Sequence, residues 1–300
     1  MLANTAQLVR LLQLEPLGQD RFLGLHPETS MQRTYGGQVL AQSLMAAAAT
    51  APQGFLVHSL HAYFLLPGAA DSDLELEVSR LRDGRSFCTR RVDVTQHGRQ
   101  IFTMDASCHR PEQGLEHGDP MPTVPAPEDC PRFVDVMDAR FGGPTAWHEW
   151  EALDVRFIGD SGADGSIIDS GHPAHMQVWA RTEGALPDDP VLHQAVLAYL
   201  SDLTLLNVST VPHRVDLSRS LHLTASLDHA MWFHRPHRAD QWLLYDMISP
   251  SASGALGFSF GRLFQDGRLV ASAAQEGLIR TGQDAAGFPT EFGGGTSLKA

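Results

Sequence analysis

Gln275 is the polar residue of this chain that is hardest to explain as filler. The run Leu269 to Ile279 alternates with a period of two, which in a strand puts Leu269, Ala271, Ala273 and Gln275 on one face. An amide thus follows three apolar residues on a face that reads as buried. It is either a core glutamine satisfied by backbone groups or a polar group kept inside to hold a substrate or a water, since an unpaired buried amide is costly. Gly257-Phe258-Ser259-Phe260-Gly261 matches the G-x-S-x-G nucleophile elbow in its letters. That elbow needs a strand–turn–helix context and a downstream histidine, whereas no histidine follows His237 and the segment lies in an extended run. Ser259 therefore reads as an ordinary strand residue. His58, His61, His229, His234 and His237 have no cysteine or carboxylate at metal-binding spacing, and read as structural or pocket-lining.

The elements that would position these groups form a simple plan. Residues 5–14 read as a short amphipathic helix. Arg33-Thr34-Tyr35-Gly36-Gly37-Gln38 leads into a helix over Val39–Thr50 that is apolar almost all round, so other structure must wrap it. The N–H groups that start this helix after Gly36-Gly37 are an oxyanion candidate, or else the glycines make a plain tight turn. Leu56–Leu66, Leu74–Leu81, Ser86–Thr95 and Gln100–His109 read as strands joined by Arg82-Asp83-Gly84-Arg85 and Gln96-His97-Gly98-Arg99. Pro111–Pro131 holds six of the eighteen prolines and reads as a linker. Beyond it, Gln177–Thr182 is a strand candidate. His193–Leu206 is a second nearly all-apolar helix with Asp202 at the edge of its stripe, where a carboxylate alone would face solvent. More strands run to Arg280, followed by a tail rich in Gly and polar residues that reads as disordered.

The strand-rich stretch occurs twice. Shifted by 169 residues, Tyr63-Phe64 falls on Trp232-Phe233, Pro67 on Pro236, Gly98-Arg99 on Gly267-Arg268 and Ile101 on Val270. The register implies an internal duplication of about one domain, with Gln275 falling on Ala106. A chain of 300 residues has room for two such domains. A net charge of −13 disfavours a nucleic-acid partner, so an anionic ligand must be held by local arginines or helix N-termini. Cys88, Cys108 and Cys130 form neither a disulfide framework nor a zinc pattern and suit a reducing compartment. Leu8–Leu14 is too short and interrupted to span a membrane, and Ser297-Leu298-Lys299-Ala300 is not a Ser-Lys-Leu address. A cytoplasmic location and no membrane insertion are the expectations.

Several motifs resemble the type II (TesB-type) acyl-CoA thioesterases. They are Gly36-Gly37-Gln38-Val39, Val57-His58-Ser59, Leu81-Arg82-Asp83-Gly84, Asp228-His229-Ala230-Met231-Trp232-Phe233-His234-Arg235-Pro236, Ser249-Pro250-Ser251-Ala252-Ser253 and Gln275-Glu276-Gly277. The resemblance runs from about residue 5 to 280. It implies an α+β double hot-dog: a hot-dog domain over residues 1–115, a linker over 116–132, a second domain carrying the catalytic residues over 133–281, and a tail over 282–300. The two sheets are expected to join side by side. It also implies hydrolysis of acyl-CoA by an activated water, without a cofactor or metal. On this resemblance the catalytic aspartate is Asp202, the hydroxyl residue Ser226 (threonine in many relatives) and the glutamine Gln275. Gly36, Gly37, Gln38 and His58 are the expected substrate-binding residues. A homo-oligomer, a dimer or a dimer of dimers, is the expected assembly. Two rivals remain. A hot-dog hydratase would set a histidine about one turn from its aspartate, and none follows Asp202 in its helix. A non-catalytic acyl-CoA binder would lose the polar triad.

Overall fold

The computed structural model describes residues 2–162, 167, 171–213 and 223–280. Helix α1 (Thr5–Leu12) starts at Asn4, whose side chain accepts from the Gln7 N–H. A short hairpin, β1 (Glu15–Gly18) and β2 (Arg21–Gly24), precedes helix α2 (Gly36–Ala49). Strands β3 (Leu56–Phe64), β4 (Leu74–Asp83), β5 (Phe87–Gln96) and β6 (Arg99–His109) follow, then α3 (Phe133–Phe141), β7 (Leu153–Asp160) and β8 (His175–Thr182). Helix α4 (Pro190–Ser201) leads through a 3-10 turn (Leu206–His213) to β9 (Leu223–Ser226), β10 (Asp228–Phe233), β11 (Leu243–Ser253), β12 (Leu256–Gln265) and β13 (Arg268–Arg280). The proposed tail, 282–300, lies outside the described residues.

All the strands join one antiparallel sheet in the order β1-β2-β4-β5-β6-β3-β10-β13-β12-β11-β8-β7, with β9 continuing the line of β10 along β13. Helices α2 and α4 pack together, both buried nearly all round. This is the α+β double hot-dog arrangement, its two sheets joined side by side through β3 and β10. The window from Pro190 to His213, apolar and long enough to cross a membrane, is mostly buried inside this fold.

The duplication read from the sequence extends to individual hydrogen bonds. Leu65 and Leu66 both donate to the Ile101 carbonyl, and 169 residues later His234 and Arg235 both donate to Val270. The Gln96 side chain bonds the backbone of Ala69 and Ser72, and Gln265 bonds the equivalent Arg238 and Gln241. The seam is self-complementary as well: His61 pairs with its own counterpart Ala230, flanked by Leu60–Met231 and Ala62–His229. A pseudo-twofold axis therefore passes through the His61–Ala230 pair.

Two local features differ from the sequence reading. A bulge at Val270 turns Leu269 onto the outer face of the sheet, so only Ala271, Ala273 and Gln275 point toward the helices. The Pro-rich segment has no regular structure up to a 3-10 turn at Pro127–Asp129, yet it is strapped over the outer face of the second half. There Met121, Val124 and Cys130 pack with Trp179, Leu244, Phe264 and Leu269. Arg235 and Arg268 pair with Glu116, Arg262 pairs with Asp119, and Trp179 donates to the Pro125 carbonyl. The counterparts of Leu244, Phe264 and Leu269 in the first half are Glu75, Thr95 and Gln100, which need no cover.

Candidate active site

Asp202 is the C-cap of α4, one residue beyond its last turn. The sequence placed it inside the helix and, taken alone, facing solvent; its side chain is only 5% exposed. The chain tightens there, with the Leu203 N–H bonded back to Leu200, so the carboxylate turns from the helix surface into the space between α4 and the sheet. Ser226 ends β9 and Gln275 lies beside it on β13, where Ser226 pairs with Gly277. The structure brings all three together. The Gln275 amide nitrogen donates to Oδ1 of Asp202 and, at 2.9 Å, to the Ser226 hydroxyl oxygen. The Ser226 hydroxyl in turn lies 3.3 Å from Oδ1 of Asp202, toward which it donates. Gln275 is fully buried and its Oε1 has no partner among the described residues.

The N-terminus of α2 closes the cluster. The Gly37 N–H donates to the Asp202 carboxylate. The Tyr35 hydroxyl donates at 2.7 Å to the Tyr199 carbonyl, an orphan acceptor of the last turn of α4, and so staples the two helix ends together. Glycine is required by this approach: a Cβ on Gly36 would lie 2.6 Å from Oδ2 of Asp202, and one on Gly37 2.4 Å from the Tyr199 oxygen. Both glycines belong to the first turn of α2, which starts three residues before the sequence reading placed it. Burial pushes the Asp202 carboxyl up to about 6, against the opposing pull of hydrogen bonds from Gln275, Ser226 and Gly37. Such a group is ionised at neutral pH yet basic enough to take a proton.

A cleft of about 420 Å³ opens beside Ser226 and Gly36. Val39, Phe64, Leu66, Ile101, Phe102 and Leu278 make its wall apolar, and Arg33 and Arg280 supply positive charge. Gln38 and His58 are not brought to it. Gln38 donates to the Leu25 carbonyl and supports the preceding loop. His58 lies at a bulge between β3 and β6, with Nε2 2.8 Å from the Ser107 hydroxyl. Its counterpart in the second half is Leu227, and it is Leu227 that lines the cleft. His58 therefore occupies the pseudo-symmetric position, on the side of the molecule that lacks the polar cluster. Ser259 is buried with no partner for its hydroxyl among the described residues, pairs with Gln275 across β12 and β13, and sits on no strand–turn–helix elbow.

The sequence reading gave Tyr35 and Tyr199 no part in the site and took His229 as structural or pocket-lining. Tyr35 adjoins the glycine motif, which was a usable signal. His229 is fully buried in β10, with its Nδ1 3.9 Å from Oδ1 of Asp202.

Two family models cover most of the chain: the acyl-CoA thioesterase N-terminal domain over residues 25–109 and acyl-CoA thioesterase over 169–278. Acyl-coenzyme A thioesterase 8 of Homo sapiens is 38% identical, with 90% of this chain and 87% of that protein aligned. Acyl-CoA thioesterase 2 of Haemophilus influenzae is 36% identical over 91% of this chain and 96% of its own length. Among solved structures, acyl-CoA thioesterase II TesB2 of Mycobacterium marinum is 43% identical with a TM-score of 0.77, covering 91% of this chain and 98% of that one.

Proposed function

The chain belongs to the acyl-CoA thioesterase family and is a thioester hydrolase, and from that premise we propose that Asp202, Ser226 and Gln275 hold and activate the water that attacks acyl-CoA. The observation that carries this reading is the mutual hydrogen bonding of the three side chains, one of which, Ser226, lines an apolar cleft. The cleft takes the acyl chain and the adjoining thioester. Water bound against the Asp202 carboxylate and the Ser226 hydroxyl attacks the carbonyl carbon as its proton passes to Asp202. The tetrahedral intermediate collapses with loss of the C–S bond. Asp202 returns the proton to the departing thiolate, so the thioester and one water become a carboxylic acid and a free thiol. With the Gly37 N–H engaged by Asp202, the Gly36 N–H at the start of α2 is the proposed backbone donor for the developing oxyanion.

A non-catalytic binder has no use for a carboxyl held in a buried polar cluster, and the histidine on α4, His193, is nine residues from Asp202 rather than the turn or so a hydratase needs. The same proposal takes residues 1–115 and 133–281 as the two fused units. It places the protein in the cytoplasm, in fatty-acid metabolism, as a homo-oligomer built from dimers. Support for assembly comes from exposed Tyr63, Leu65, Leu81 and Phe87 in the first half. The test is thiol release from decanoyl- or palmitoyl-CoA. Asp202→Asn and Gln275→Ala are each expected to lower kcat by roughly 10²–10⁴-fold with KM little changed. Full activity in Asp202→Asn would sink the water mechanism.

A further inference from the structure

The internal duplication supplies a control for which core residues serve the site. At several inward-facing positions the first half is apolar and the second half polar, on the 169-residue register. Val57 becomes Ser226, Ala106 becomes Gln275 and Leu60 becomes His229. Two of these three polar residues belong to the proposed triad. The third, His229, is as buried as its counterpart Leu60, so a leucine would serve packing there equally well. Packing alone does not account for an imidazole at that position.

We propose that His229 is a positioning residue of the hydrolytic site, setting an Nδ1 lone pair beside the Asp202 carboxyl from the β10 side. The inference rests on the reading of Asp202 as base. The ring is fixed at its other end, where Nε2 lies 2.9 Å from the Ser201 hydroxyl oxygen. That hydroxyl lies 2.9 Å from the Ala198 carbonyl and 3.2 Å from the Met231 sulfur; with its one proton on the carbonyl, the stronger acceptor, the bond between ring and hydroxyl takes its proton from Nε2. Nδ1 is left as a bare lone pair with no partner among the described residues, 3.9 Å from Oδ1 of Asp202. A lone pair there disfavours the ionised carboxylate relative to the protonated acid. His229 thus favours the form of Asp202 that exists once water has given up its proton. Burial keeps the imidazole itself neutral. The other groups that face Asp202 carry no competing charge. They are Gly37 and Tyr35 from the α2 end, Ser226 from β9, Gln275 from β13 and Tyr245 from β11, and burial keeps both phenols protonated.

Two substitutions separate the ends of the ring. His229→Gln keeps a group at the Nε2 position and removes Nδ1, whereas His229→Asn keeps a group at the Nδ1 position. His229→Gln is expected to lower kcat about tenfold or more with KM and Tm near the parent's. It should also move the acid limb of kcat/KM to lower pH, while His229→Asn keeps more of kcat. A His229→Gln enzyme with the parental pH profile, or losses in both variants that track Tm, would overturn the proposal. Should His229→Gln fail to fold, 15N spectra of histidine-labelled parent enzyme decide. The expectation is a bare Nδ1 whose shift follows the Asp202 titration and stops following it in Asp202→Asn; a protonated Nδ1 overturns it. Asp202→Asn assayed alongside tells the two readings apart, because full activity there refutes the base itself, whatever His229 does.

Discussion

At the scale of single residues, the site sets activity against stability. The Asp202 carboxyl binds its proton up to about pH 6 in the folded chain and to 3.8 ordinarily. The folded state therefore loses stability as pH rises through that window, by about 3 kcal/mol for a two-unit shift. Asp202→Asn, expected to be nearly inactive, should be the more stable protein above pH 6, with the gap closing below pH 4; melting curves at pH 4 and 8 check this. Ser226→Ala should cost less activity than Asp202→Asn, because water can partly replace one hydroxyl, and Ser226→Thr should be nearly neutral. Ser259→Ala should leave kcat near the parent's, since the change removes an unpartnered buried hydroxyl. Gln275 was legible in the sequence because alternation alone exposes an amide on an apolar face. Ser226 was legible only through the family resemblance, since one serine near a strand end carries no pattern. His229 reads from sequence only as a structural or pocket-lining histidine, although the comparison with Leu60 is available once the 169-residue register is in hand.

At the scale of elements, catalysis depends on two helix ends meeting. Gly37→Ala would drive a Cβ into the Tyr199 carbonyl, a backbone atom that has nowhere to go. It should push α2 from α4, lower kcat through the misplaced Asp202 and cost about 1–3 kcal/mol, read by assay and melting together. Gln265→Ala should be a contrast: it unties the staple to Arg238 and Gln241, so Tm should fall while kcat of the folded enzyme holds. The long strands and the two all-apolar helices were legible because their periodicities persist over many residues. The β1–β2 hairpin was not, since four-residue strands leave no period to read. Helix α4 was read too far, through Leu206, because apolar residues continue past the turn at Asp202 that ends it.

At the scale of the whole molecule, burial keeps His58, His193, His229, His234 and His237 easier to deprotonate than in water. The unfolded chain takes up protons below their usual 6.5 that the folded chain refuses. Stability should therefore fall with pH from about 6.5 toward 3, the value to which burial depresses His229. Scanning Tm from pH 7 to 5 checks the slope, which should be shallower in His229→Gln. The seam through His61 and Ala230 carries a different consequence. Two separate copies of one half could form the same contact, but each substitution would then appear twice, once on either side of the axis. Joining the copies in one chain frees each side to specialise. Here one side keeps the carboxyl and amide. On the other, Arg90, the counterpart of Ser259, is buried against Thr50, the C-cap of α2, with its guanidinium bonded to both the hydroxyl and the carbonyl of that residue. The molecule has exchanged a second chance at catalysis for a permanent brace.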